Sequence, residues 1–309
     1  MQFTRRDMLK LGIGASAAAV LRPVDSLYGQ SPSRPLITRP IPATGEQLPV
    51  VGIGGRDWEA ETPAIRAELK EVLRRFPELG GKVIDTATGY RSGASEALFG
   101  ELAKELGVRD KLFMATKINV SGKQAGLAQI ERCFQRLQTD RLDLICVHNL
   151  RDTAVQLQNL REVKQAGRLR YIGVTTSSDD QYDELENFMK TETMDFVQMD
   201  YAIDSRVAAD RLLPLAADRS LAVMINLPFG RGRLFAAVRS QPLPDWATEI
   251  DCTSWAQIFL KYIISHPAVT VVIPGTRQVV HLLDNVKAAQ GRLPDAAMRR
   301  RMEEFMDRI

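Results

Sequence analysis

Short apolar runs recur along the chain at 49–53, 82–86, 112–117, 142–147, 169–174, 195–200, 221–227 and 269–273. Amphipathic stretches lie between and after them, at 64–76, 96–106, 127–137, 154–166, 182–189, 207–217, 255–265 and 279–289. A strand that is apolar on both faces, rather than alternating, belongs in a parallel sheet covered by helices. Eight strand-then-helix units are the number that closes such a sheet into a barrel. An open doubly wound sheet would carry a Gly-x-Gly-x-x-Gly turn leading into a helix after its first strand. Gly52-Ile53-Gly54-Gly55 lacks both the third glycine and the helix start. The expected fold is therefore an α/β (β/α)8 TIM barrel over 36–309. An N-terminal β-hairpin around Pro42-Ala43-Thr44-Gly45-Glu46 precedes it, and an extra C-terminal helix at 298–308 follows.

Composition narrows the functional classes. Of 309 residues 45% are hydrophobic and 26% charged, enough for a substantial core. A net charge of +3 without a basic stripe gives no footprint for nucleic acid. Cys133, Cys146 and Cys252 are odd in number and widely spaced. They suggest buried small hydrophobes rather than a disulfide scaffold or a metal site.

Residues 1–30 read as an address and linker. Thr4-Arg5-Arg6-Asp7-Met8-Leu9-Lys10 precedes a mildly apolar, Ala- and Gly-rich run, a pattern that resembles a twin-arginine export signal. The resemblance implies the twin-arginine export machinery as a partner and a periplasmic or otherwise exported product. Cleavage is expected between Ser26 and Ser31. The apolar run is too short for a stable membrane anchor.

Three consecutive strand-like runs finish in ionisable side chains. Lys82-Val83-Ile84 leads to Asp85 with Tyr90 just beyond, Phe113-Met114-Ala115-Thr116 leads to Lys117, and Leu144-Ile145-Cys146-Val147 leads to His148. A parallel barrel gathers such residues on one rim, where its chemistry is done. A carbonyl that accepts hydride becomes an alkoxide and needs a proton donor as charge develops. Tyr90 can be that donor, and a nearby cation such as Lys117 favours the phenolate left behind. Asp85 can hold the ammonium by a charge-assisted hydrogen bond. His148 can donate a hydrogen bond to the substrate oxygen.

At these residues the chain resembles an aldo/keto reductase. Asp85-Thr86-Ala87-Thr88-Gly89-Tyr90 is similar to the family's Asp-Thr-Ala-x-x-Tyr signature, Thr116-Lys117 to its Thr-Lys strand end, and Asp143 to His148 to the strand that delivers its histidine. The resemblance covers 36–290. It implies NADPH-dependent reduction of an aldehyde or ketone to an alcohol, with Tyr90 as proton donor and Asp85, Lys117 and His148 beside it. NADP(H) would be bound without a Rossmann unit, and the substrate would be a small carbonyl compound. Thr175 and Thr176 stand where the family reads Ser-Asn, so a hydroxyl replaces the amide that holds the nicotinamide carboxamide. Gln198 would share that task. Asn226 replaces an aromatic that stacks on the nicotinamide, in Asn226-Leu227-Pro228-Phe229-Gly230-Arg231-Gly232. Gly230 would let backbone approach the pyrophosphate. Gly275, Thr276, Arg277 and Asn285 would grip the adenosine end, Arg277 favouring the 2′-phosphate and His281 assisting.

Two other functional classes fit parts of this pattern. One is an NADP(H)-binding sensor or partner-binding barrel with little turnover, given the departures at Thr176 and Asn226. The other is a lyase or aldolase barrel using Lys117 as a Schiff base. Trp58 fits a pocket wall or a core position equally, and the excursion at 234–251 is expected to form another pocket wall.

Overall fold

The computed structural model describes residues 34–309, so the leader read at 1–30 lies outside the described residues. Ten strands occur among them. They are β1 (Thr38–Pro40), β2 (Gln47–Pro49), β3 (Ile53–Gly54), β4 (Val83–Asp85), β5 (Phe113–Ile118), β6 (Leu142–His148), β7 (Leu169–Thr175), β8 (Phe196–Asp200), β9 (Ala222–Asn226) and β10 (Val271–Val272). The first two form the antiparallel hairpin. The other eight pair in sequence order, every neighbour parallel. Parallel bridges Val51–Val272 and Gly54–Gly275 close the ring. The expected (β/α)8 barrel is the observed one.

The seam strands β3 and β10 are shorter than the apolar runs that predict them. There the backbones approach closely through glycine, and one donor is missing. A Cβ on Gly52 would lie 2.8 Å from the Val83 carbonyl oxygen, and one on Gly54 would lie 2.8 Å from that of Ile273. Pro274 brings no N–H to the ladder, so regular pairing ends there. The Gly54 N–H still donates to Pro274 O at 2.9 Å and holds the seam.

Helices wrap the outside. Pro63–Glu78 begins with Thr62, whose side chain accepts from the Ile65 N–H, and with proline in the first turn, where its missing donor costs nothing. The single helix expected at 207–217 is instead two, Val207–Asp210 and Leu212–Asp218. Pro214 explains the break, because it cannot bond to the carbonyl of Asp210 and its ring crowds that oxygen. Arg211 absorbs the kink at φ −127°, ψ −52°.

The two-residue period of the strands sorts their side chains. Outward residues such as Ile84, Met114, Ile145, Val147, Val174 and Val197 join the helices in the main core. Inward residues Val83, Phe113, Ala115, Leu144, Cys146, Tyr171, Phe196, Ala222 and Met224 fill the barrel, and Ile41 and Leu48 of the hairpin close its N-terminal end. That face also carries a cleft of about 700 Å³. Arg109 and Arg170 bridge its buried Asp143 at 3.3 and 2.7 Å. This is the end at which barrels are stabilised rather than catalytic.

Continuing the inward parity one step along each strand gives Asp85, Lys117, His148, Thr175, Gln198 and Asn226. The filling of the barrel therefore aims all six at its C-terminal mouth. Trp58 resolves as a core residue: it is fully buried, stacked on Phe99 at 4.0 Å, and its indole N–H donates to Thr276 O at 2.8 Å.

Candidate active site

Lys117 and Asp85 meet beneath the mouth. The Lys117 ammonium donates to Asp85 Oδ2 at 2.5 Å and to Thr86 O at 2.7 Å. Both side chains are all but removed from solvent, at 2% and 5% exposure. Burial raises the Asp85 carboxyl, with Lys117 pulling it back. Burial alone would lower Lys117, but Asp85 and then Tyr90 outweigh it, and the ammonium is held above its ordinary range. The pair stands as a salt bridge with lysine charged. Cys146 lies alongside, its thiol pushed up to about 12 by burial, and behaves as a neutral filler.

Tyr90 is placed by an extension of the β4–β5 pairing. The Thr86 N–H donates to Ala115 O at 2.9 Å and the Thr88 N–H to Lys117 O at 3.2 Å, after which Tyr90 turns back on Ala87 O at 3.0 Å. The Tyr90 ring centre is then 5.1 Å from Lys117 Nζ. It lies 5.9 Å from the His148 ring, edge to face at 83°. Burial, and then the Lys117 charge, lowers His148 from 6.5 to about 3, so its imidazole is neutral. Its buried Nδ1 has no hydrogen-bond partner among the described residues.

The residues expected to hold a cofactor divide into two groups. Thr175 and Gln198 are register partners on β7 and β8, and Thr175 is in turn the partner of His148. Gln198 is 1% exposed; its amide makes no bond of full hydrogen-bond geometry among the described residues, but it lies close enough to Asp85 to favour that group's charged form. Asn226 donates to Thr176 O at 3.0 Å while its Oδ1 is unpartnered. Orphaned buried amides are costly and call for a ligand or water. Thr176 sits one residue out of the inward parity. Its hydroxyl donates to Gln181 Oε1 at 2.6 Å and accepts from the Ser178 N–H at 3.2 Å, so it joins the site through its carbonyl.

The second group lies around the seam. Gly230, Arg231 and Gly232 run in the left-handed region at φ 54°, 57° and 92°, which is where glycine is needed. Gly275 lies between two adjoining clefts. One, of about 350 Å³, is lined by Asp85, Tyr90, Asn226, Phe229, Arg231, Gly232 and Phe235 among others. The other, of about 510 Å³, carries Thr276, Arg277, Gln278 and His281. They share Gly54, Arg56, Asp57 and Gly275, giving an elongated groove from the reacting group to the arginine. Asn285 braces this loop rather than facing the groove, donating to Thr276 Oγ1 at 3.0 Å. Arg277 is ion-paired with Glu61 at 2.9 Å and also reaches Glu59 O at 3.3 Å.

Of the excursion at 234–251 only Phe235 lines the groove, packed on Phe229 at 4.8 Å. Trp246 is buried against Phe305. The motif reading singles out neither Phe229 nor Glu61, the partner of Arg277. Phe229 sits inside the glycine-flanked motif that could have flagged it, whereas nothing local marks a carboxylate that pairs across more than two hundred positions.

The sequence pattern of the aldo/keto reductase family matches residues 50–304. Aldo-keto reductase YhdN of Bacillus subtilis (strain 168) is 31% identical over 195 residues, 59% of this chain and 55% of the relative. Methylglyoxal reductase YeaE of Escherichia coli (strain K12) is 27% identical over 264 residues, 84% of this chain and 89% of the relative. Among solved structures, an aldo/keto reductase from Klebsiella pneumoniae in complex with NADP and acetate superposes with a TM-score of 0.73 at 25% identity, covering 85% of this chain and 93% of that one. The match spans the barrel, both clefts and every candidate residue described above. This chain belongs to the aldo/keto reductase family of oxidoreductases.

Proposed function

We propose that the protein reduces an aldehyde or ketone to the alcohol with NADPH, Tyr90 supplying the proton. The observation that carries the reading is the buried Asp85–Lys117 pair, set 5.1 Å from the Tyr90 ring at the head of the groove. The groove fits the nucleotide in two respects. Asn226 presents an unpartnered amide oxygen in the cleft that holds Tyr90, suited to a carboxamide. Arg277 stands at the far end, where a guanidinium suits a phosphate by bidentate bonding. Bound there, the nucleotide supplies the hydride.

The chain's own residues do the rest. Tyr90 protonates the oxygen as negative charge develops on it. Lys117 keeps a cation beside the phenol, and Asp85 keeps that cation in place. His148, neutral, donates a hydrogen bond that orients the carbonyl. The same electrostatics argue against Lys117 as a Schiff base, which requires a deprotonated amine, whereas Asp85 holds it protonated. Relatives bearing the names aldo-keto reductase and methylglyoxal reductase support carbonyl reduction.

Tyr90→Phe is expected to lower kcat for a carbonyl substrate by about 100-fold or more, the usual worth of a positioned general acid. NADPH affinity, read by fluorescence titration, should stay within about twofold, and undiminished turnover would remove the mechanism.

Arg277→Ala should weaken NADPH by roughly tenfold, the loss of about 1.4 kcal/mol, and leave NADH nearly unchanged. An unaltered preference between the two nucleotides contradicts a 2′-phosphate role.

The lowered His148 value has a definite sign. Between about 6.5 and about 3 the unfolded chain takes up a proton that the folded chain refuses, so this residue costs stability as the pH falls through that window. Its imidazole resonance, assigned by loss in His148→Asn, should therefore show no titration shift between pH 8 and 5. A midpoint near 6.5 would show that His148 is charged during turnover at mildly acidic pH.

A further inference from the structure

The segment that carries Tyr90 has an unusual backbone. Arg91, Ser92 and Gly93 follow it in the left-handed region at φ 49°, 56° and 95°. Successive side-chain-bearing residues in that region are unfavourable and persist only where the surroundings fix them. Arg91 is held in front by Asp57 at 2.8 Å, and Arg136, at the end of helix Lys123–Arg136, packs on the turn from behind. Its guanidinium lies so close to Gly93 that a Cβ there would stand 2.2 Å from Nη1 and 2.3 Å from Cζ. Nη1 is also 3.4 Å from the Thr88 carbonyl oxygen and 3.2 Å from Glu96 Oε2.

Glu96 is fully buried, at 0% exposure, in helix Ala94–Leu106. Its other oxygen accepts from the Thr116 hydroxyl at 2.6 Å. Thr116 immediately precedes Lys117 on β5. One carboxylate thus ties the loop bearing the phenol, through Arg136, to the strand bearing the ammonium. Both oxygens of the Glu96 carboxylate are engaged within the protein, by Thr116 and by Arg136. A buried carboxylate is expensive, and apolar packing at such a place is often more stabilising. Retaining it makes sense where it fixes one geometry.

We propose that Glu96 and Arg136 are positioning residues that set Tyr90 against Lys117 by clamping the left-handed turn at 91–93. The inference rests on Tyr90 acting as the proton donor. It assigns the placement of that donor to an ion pair on the outer side of the barrel, its carboxylate buried and its guanidinium partly exposed.

The test measures kcat, KM and NADPH affinity in Arg136→Met, Arg136→Lys and Glu96→Gln, each alone and combined with Tyr90→Phe. Misplacing a catalytic group by about an ångström costs up to 100-fold, so Arg136→Met should lower kcat by about tenfold or more. NADPH affinity should change by less than about twofold, and Arg136→Lys should recover part of the rate because it restores the charge without the planar fork. In the Tyr90→Phe background the same change should lower the residual rate no further, since residues acting as a unit are not additive. If Arg136→Met fails to fold, Glu96→Gln, which keeps the shape and the Thr116 contact, must show the same signature. A wild-type kcat in folded Arg136→Met or Glu96→Gln overturns the proposal. So do equal fractional losses with and without the Tyr90 hydroxyl, which would show a diffuse structural effect. Full activity of Tyr90→Phe alone would instead overturn the reading of Tyr90 on which the proposal rests.

Discussion

Two opposite charges buried 2.5 Å apart under the mouth of a barrel are a demanding thing for a fold to keep. Each would be costly alone, and removing one partner of such a pair typically costs about 3–5 kcal/mol because the other is stranded. The Asp85–Lys117 contact spans adjacent strands, β4 and β5, and its second ligand, Thr86 O, comes from the chain just past β4. Everything that registers those two strands therefore also fixes the position of the ammonium. The Tyr90 turn continues the same pairing by way of Thr88 and Lys117 O. The reactive geometry is in this sense a continuation of the sheet.

Much of this was legible beforehand, for a physical reason. Strands buried on both faces are apolar through their middle, so ionisable residues gather at their ends. Asp85, Lys117 and His148 stand at or next to the C-terminal ends of β4, β5 and β6, and the alternation below them, Val83, Ala115 and Cys146, fills the barrel. Pattern and site thus express one constraint. The hairpin followed from its turn-rich connection and the eight-strand closure from the count of apolar runs, while the close backbone approach at Gly52 and Gly54 along the seam is stated by no local pattern.

What the sequence hid was the direction of side chains in loops, where no period applies. Thr176 turns its hydroxyl to Gln181, and Asn285, on the helix Val279–Lys287 that follows the seam loop, turns its amide to Thr276, so both support the site from behind. Trp58 spends its bulk on Phe99 and its N–H on Thr276. Arg277 meets Glu61, a contact between residues 216 positions apart. The break at Pro214 could have been anticipated, since proline in a helix interior removes a donor and crowds the preceding turn. The apolar spacing on either side of it masked that signal.

The account stands on Lys117 as the cation that serves Tyr90, and Lys117→Met tests it most directly. Methionine keeps the length of the side chain and removes its charge, and folding is checked first because Asp85 loses its partner. The measurement is single-turnover carbonyl reduction by the folded variant, with NADPH binding followed in parallel. The account predicts a loss in the chemical rate of about 100-fold or more, with nucleotide affinity nearly unchanged. A chemical rate within a few-fold of wild type would contradict it.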